Sequence, residues 1–115
     1  MKRGEIYYVN MDNSTGHEMK KDRPCIVLGM NPIYHKSTVT VVLCSASYRP
    51  DSPTHITVRS TPKISTAMCE HICTVDYSRV RDKFGELTPQ ELQAVEMGVA
   101  SALGLNMYIK EAPNE

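Results

Sequence analysis

Short apolar runs alternate with polar, turn-forming stretches along this chain, and one helically periodic segment follows them. Glu5–Val9 carries Ile6, Tyr7 and Tyr8 on what predicts an extended backbone. Asn10–Asp22 is a long polar loop, marked by Asp12-Asn13-Ser14 and Gly16. Loops of that length in small domains often carry function. Cys25–Met30 is nearly continuous in apolar residues and predicts a buried strand, and Asn31-Pro32 then opens a turn. Val39–Cys44 predicts a second buried strand and Ile56–Val58 a shorter one. Ser60–Thr66, rich in Ser, Thr and Pro, reads as a loop before a strand at Cys69–Val75. Residues 79–84 read as a short helical turn.

The helix has a well-marked start. Thr88-Pro89-Gln90-Glu91 supplies an N-cap, a proline at the first helical position and a glutamate to close a capping box. Leu92, Val95, Val99 and Leu103 recur at three- and four-residue spacing and predict one apolar face. Gly104 is a natural stop, and the tail Glu111–Glu115 should fray. Many short strands around one helix imply a β-rich α+β domain: a small, curved antiparallel sheet or partly open barrel with a C-terminal helix. No repeat or linker divides the chain, so residues 1–115 form one domain.

Composition narrows the classes. No apolar run approaches a membrane span and none resembles a secretion signal, so a cytoplasmic chain is expected. Cytosolic thiols stay reduced, and Cys25, Cys44 and Cys73 lie within or beside apolar runs, so the cysteines read as core residues. Cys69, His71 and Cys73 would share one strand face, which invites zinc. A closed site needs a fourth ligand, and no second Cys or His pair supplies one, so no metal or other cofactor is expected.

The net charge is zero but unevenly spread. Residues 1–63 hold nine Lys/Arg and five Asp/Glu, 9 − 5 = +4; residues 64–115 hold four and eight, 4 − 8 = −4. That balance suits a transiently held single strand of nucleic acid better than a long duplex.

The polar loop ends at Arg23-Pro24. Proline fixes its own φ and drives the preceding residue to extended geometry, so Arg23 stands at the mouth of a strand. A guanidinium fixed there suits phosphate or carboxylate. Ser45 follows the run Val39–Cys44 and brings a hydroxyl to a strand end. It could contact substrate or simply cap a turn. His17 can exchange protons near neutral pH.

Several segments occur in order: Lys2-Arg3-Gly4-Glu5-Ile6-Tyr7-Tyr8-Val9, then Gly16, Glu18, Arg23 and Pro24 as Gly-x-Glu-x4-Arg-Pro, then Thr38–Ser45, Pro53–Val58 and Glu70–Asp76. From Lys2 to about Leu105 the chain resembles the PemK/MazF family of toxin endoribonucleases. The resemblance implies an SH3-like barrel and metal-independent, sequence-specific cleavage of single-stranded mRNA by 2′-OH attack. The ends would be 2′,3′-cyclic phosphate and 5′-OH, and translation and growth would be inhibited. It also implies a homodimer silenced by a cognate antitoxin, with DNA contacted only through the antitoxin complex.

The resemblance carries the catalytic arginine to Arg23 and a family threonine to Ser45. His17 becomes a helper, and Glu18 a base or an orienting group for Arg23. Lys20 and Lys21 would face the RNA, Tyr34 could stack a base or be a plain surface tyrosine, His55 would be structural or sit at the groove's edge, and Glu70 matches an acidic position of the later strand. Met68 and Cys73 stand where family branches carry arginine. The same fold hosts CcdB-type toxins that bind a protein target. A non-catalytic or degenerate member that binds protein or nucleic acid is therefore the alternative. Arg23 together with Ser45 favours the nuclease.

Overall fold

A computed structural model describes residues 1–11, 22–33, 36–47 and 49–105. Its elements are β1 (Glu5–Asn10), β2 (Asp22–Ile33), β3 (Lys36–Ser45), β4 (His55–Val58), β5 (Ser65–Asp76), a 3-10 turn at Tyr77–Arg79, β6 (Val80–Glu86) and α1 (Pro89–Leu103). The strands form one antiparallel sheet in the order β4-β5-β3-β2-β1-β6. β4 and β6 are its two edges, so the expected barrel is an open one.

Each face of the sheet carries its own cluster, because successive strand residues point to opposite sides. Ile6, Ile26, Val42, Cys44, Val58, Ala67 and Cys69 are buried with Val95 of α1, and Leu92 and Val99 pack against them. On the other face Val9, Cys25, Val27, Val39 and Val41 are buried. Tyr7, Leu43, Cys73, Val75 and Val80 are only partly covered there.

Three expected elements differ. β2 runs straight through Asn31-Pro32, with Pro32 paired to Ser37. Beyond Ile26 the β1 ladder has ended, so that flank of β2 is an edge and tolerates a residue without an N–H. Residues 79–84 are no helical turn. The 3-10 turn stops at Arg79 and β6 pairs with β1, an edge strand whose Arg81, Asp82 and Lys83 can stay in water. The Ser/Thr-rich stretch 60–66 is a loop only to Ile64, because β5 already begins at Ser65.

The helix starts as its sequence predicts. Glu91 N–H donates to Thr88 Oγ1 at 3.1 Å, and Thr88 N–H donates to Glu91 Oε1 at 3.0 Å. Gly104 ends it in the left-handed region at φ 75°. Leu103 does not join the core: it is 58% exposed, and the buried stripe is completed by Gly98 and Ala100.

β5 contains the largest irregularity. Its pairing with β3 jumps from Leu43↔Met68 to Val42↔Ile72, so Cys69, Glu70 and His71 bulge out of the ladder. The Cys69 thiol turns under α1, whereas Cys73 belongs to the opposite face. The expected shared face of Cys69, His71 and Cys73 therefore does not exist. Burial pushes the Cys25 and Cys69 thiols up to about 12, which suits packing groups, and all four cysteines are free.

Candidate active site

Strand register brings Arg23 and Ser45 to the same end of the sheet. β1 pairs Val9 with Arg23, and β6 pairs Val80 with Val9. β2 and β3 pair Cys25 with Leu43, and continuing that register to the strand ends sets Arg23 against Ser45. Ser45 in turn pairs with Thr66 of β5. Val80, Val9, Arg23, Ser45 and Thr66 thus form one transverse row across five strands. By strand alternation Arg23 and Ser45 share the face of Cys25 and Leu43, the partly covered one. The Arg-Pro step lies inside β2, where Pro24 pairs with Tyr8. Arg23 is thereby tied to a strand end, as its sequence context predicts, and is half-buried rather than fully exposed.

Ser45 is the last residue of β3 and half-buried. Its Oγ accepts the Ser47 N–H at 3.2 Å, so the serine does cap a turn. A hydroxyl that accepts one bond still has its own proton to donate, so capping and substrate contact are compatible.

Thr66 supports this turn from below and was not legible as a site residue. It is fully buried. Its Oγ1 donates to Ser47 O at 3.0 Å and accepts the Arg49 N–H at 3.0 Å. The segment leaving Ser45 is therefore pinned at two backbone groups by one side chain. The only sequence signal is a hydroxyl in a Ser/Thr stretch, which reads as loop.

His55 and Glu70 form a separate pair towards the β4 edge. His55 is aligned with Met68, and Met68 with Leu43, so β5 and β3 separate His55 from β2. The bulge frees Glu70 from the ladder, and His55 Nε2 lies 2.9 Å from Glu70 Oε2. His71 Nε2 lies 3.6 Å from the same oxygen. Desolvation pushes the Glu70 carboxyl up. Hydrogen bonds from His55, its own backbone and Thr54 outweigh that and hold it below the ordinary value. Met68 lies between this pair and Leu43, two residues along the strands from the row of Arg23 and Ser45 and on the same face.

His17, Glu18, Lys20, Lys21 and Tyr34 lie outside the described residues. Among the described residues no three His, Cys, Asp or Glu side chains converge as metal ligands. No described helix is long and apolar enough to cross a membrane.

The chain is similar to known proteins over nearly its whole length. The chain is 26% identical over 113 residues to the endoribonuclease MazF of Staphylococcus saprophyticus, covering 92% of this chain and 93% of that protein. A solved mycobacterial endoribonuclease in complex with its cognate antitoxin superimposes with a TM-score of 0.69 at 22% identity, over 90% of this chain and 94% of that one. MazF from Deinococcus radiodurans superimposes with a TM-score of 0.70 at 18% identity, over 90% and 96%. Residues 2–103 match the family described as PemK-like, MazF-like toxins of type II toxin-antitoxin systems, and the chain belongs to that family.

Proposed function

We propose that this chain is an endoribonuclease toxin that cleaves single-stranded mRNA in the cytoplasm without a metal ion. The observation that carries the reading is the Cys25–Leu43 register, which places Arg23 and Ser45 two residues further on at neighbouring strand ends. In the reaction the 2′-oxygen forms a bond to phosphorus and the bond from phosphorus to the 5′-oxygen breaks. The 2′-hydroxyl loses its proton to a base and the leaving oxygen gains one from an acid. Arg23 neutralises the charge that grows on the phosphorane oxygens, where preorganised donors have their largest effect. Ser45 donates a hydrogen bond to the same phosphate. His17 and Glu18 precede Arg23 by six and five positions and supply the proton-transfer groups. Lys20, Lys21 and Tyr34 hold the flanking RNA. His55 and Glu70, paired at the β4 edge, contact its more distant part.

The partly covered face beside Arg23 supports a homodimer. Tyr7, Leu43, Cys73, Val75 and Val80 would be shared between copies, with the two sites along the seam. The second partner is a cognate antitoxin, whose acidic segment would compete with RNA for Arg23, Lys20 and Lys21. Its affinity should fall with salt and on replacement of both lysines by Glu.

The test is incubation of purified protein with mixed-sequence RNA in EDTA, followed by end analysis. Fragments with 5′-OH and 2′,3′-cyclic phosphate ends are expected. Cleavage that requires magnesium, or that leaves 5′-phosphates, would overturn the mechanism.

A further inference from the structure

We propose that a small apolar pocket behind Arg23 and Ser45 receives one nucleobase of the RNA next to the cleaved bond. This rests on the endoribonuclease reading above. The pocket has a volume of about 240 Å³. Pro24 and Ala46 line it, each one residue beyond Arg23 and Ser45, so pocket and reacting centre share the same two chain segments. Strand alternation turns Pro24 to the face opposite Arg23, and Ala46 joins it in the wall just past the end of β3. A nucleotide whose phosphate lies on Arg23 can therefore reach the pocket over the rim of the sheet.

The walls suit a flat ring. Tyr8 and Phe84 stand edge to face, with ring centroids 4.9 Å apart at 61°, so their orientations are fixed by each other. Pro24 and Pro62 add flat apolar surface. Unpaired bases are held by stacking on such groups, with little demand for polar partners. The Ser65 hydroxyl in the wall already lies 3.3 Å from Thr61 Oγ1 and 3.5 Å from Cys44 Sγ. The pocket therefore selects by shape and stacking. Lys63 is the one cation among its described walls and is exposed, as a contact for the next phosphate requires. A wholly apolar side chain of a protein partner would need no cation there.

The experiment sequences the cut ends from a random-sequence RNA pool, then measures kinetics on a synthetic RNA of the preferred sequence. Ala46 is exposed and lies past the end of β3, so Ala46→Phe fills the pocket without entering the core; Ala46→Val is the smaller step should Phe prevent folding. The wild type should show a base preference at one position flanking the cut. Ala46→Phe should flatten that preference and raise KM by about tenfold, the loss of one stacked base. An RNA abasic at that position should be cut equally well by both proteins. Lys63→Gln should raise KM and leave the preference intact.

Unchanged preference in the filled variant overturns the proposal. So does a loss of rate that is uniform over all sequences, which would mean a disturbed Ser45. Lost inhibition by the antitoxin with unchanged cleavage would assign the pocket to that protein instead. A wild type that cuts no RNA in the pool contradicts the nuclease reading itself, and the base subsite falls with it.

Discussion

Ser45 and Thr66 are register partners, and their hydroxyls grip the two ends of one peptide unit's neighbourhood. Ser45 Oγ takes the Ser47 N–H at 3.2 Å, and Thr66 Oγ1 gives to the Ser47 carbonyl at 3.0 Å. Thr66 also takes the Arg49 N–H. The position of the Ser45 hydroxyl therefore depends on a buried side chain of another strand.

Thr66→Val keeps the shape and removes both bonds. Two backbone groups lose their partner, a cost of about 1–3 kcal/mol. The expected result is a lower melting temperature and a lower kcat at nearly unchanged KM, with Thr66→Ser restoring both. A valine variant that melts and turns over like the wild type would detach Thr66 from the site.

Gly98 leaves α1 no room for a side chain over the bulge. A Cβ there would lie 2.7 Å from Cys69 Sγ and 3.2 Å from Cys69 Cβ. Overpacking of this kind costs about 1–3 kcal/mol, and alanine's better helix propensity returns only about 1 kcal/mol. Gly98→Ala should therefore melt at a lower temperature, and pairing it with Cys69→Ala should recover part of the loss. Thermal melts of the two singles and the double decide this.

A buried carboxylate should make stability depend on acid. Glu5 is 6% exposed and accepts from Lys2 N–H at 2.7 Å and Lys83 Nζ at 3.0 Å. The Lys2 backbone bond first, then Lys83, lowers its carboxyl from 4.5 to about 2. A carboxyl depressed in the folded state stabilises above its unfolded value. That contribution is complete at neutral pH and is lost as pH falls from about 4.5 towards 2. Glu5→Gln should lower the melting temperature at pH 7, and the gap to wild type should close across that window. A gap that stays constant down to pH 2 would contradict it.

The partly covered face predicts association. Sedimentation at micromolar protein should give a dimer, and Leu43→Glu should shift it towards monomer with loss of cleavage. A monomeric wild type that still cleaves would place the site within one chain.

The sequence made some of this fold legible and hid the rest for physical reasons. Apolar runs located the inner strands, and Thr88, Pro89 and Glu91 marked the helix start, because those signals are local. β6 was hidden because an edge strand with Arg81, Asp82 and Lys83 has no apolar alternation to show. Pro32 reads as a turn until the neighbouring strand is known to have ended. The bulge at Cys69–His71 is a property of pairing, and it separates Cys69 from Cys73 although alternation puts them together. In the proposed site, the strand-end places of Arg23 and Ser45 were readable from a proline step and from the end of an apolar run. Thr66 was not, because its role depends on a partner strand. The positions of His17, Glu18, Lys20, Lys21 and Tyr34 fall outside the described residues.

The most direct measurement of the central claim compares Arg23→Ala with wild type on one RNA, in EDTA, alongside their melting curves. Arg23 is at a strand end, so the fold should survive its loss. Removing one preorganised donor to the transition-state anion should cut kcat by about a hundredfold or more, with Ser45→Ala losing less and His17→Ala least. A folded Arg23→Ala protein that retains wild-type turnover would contradict the account.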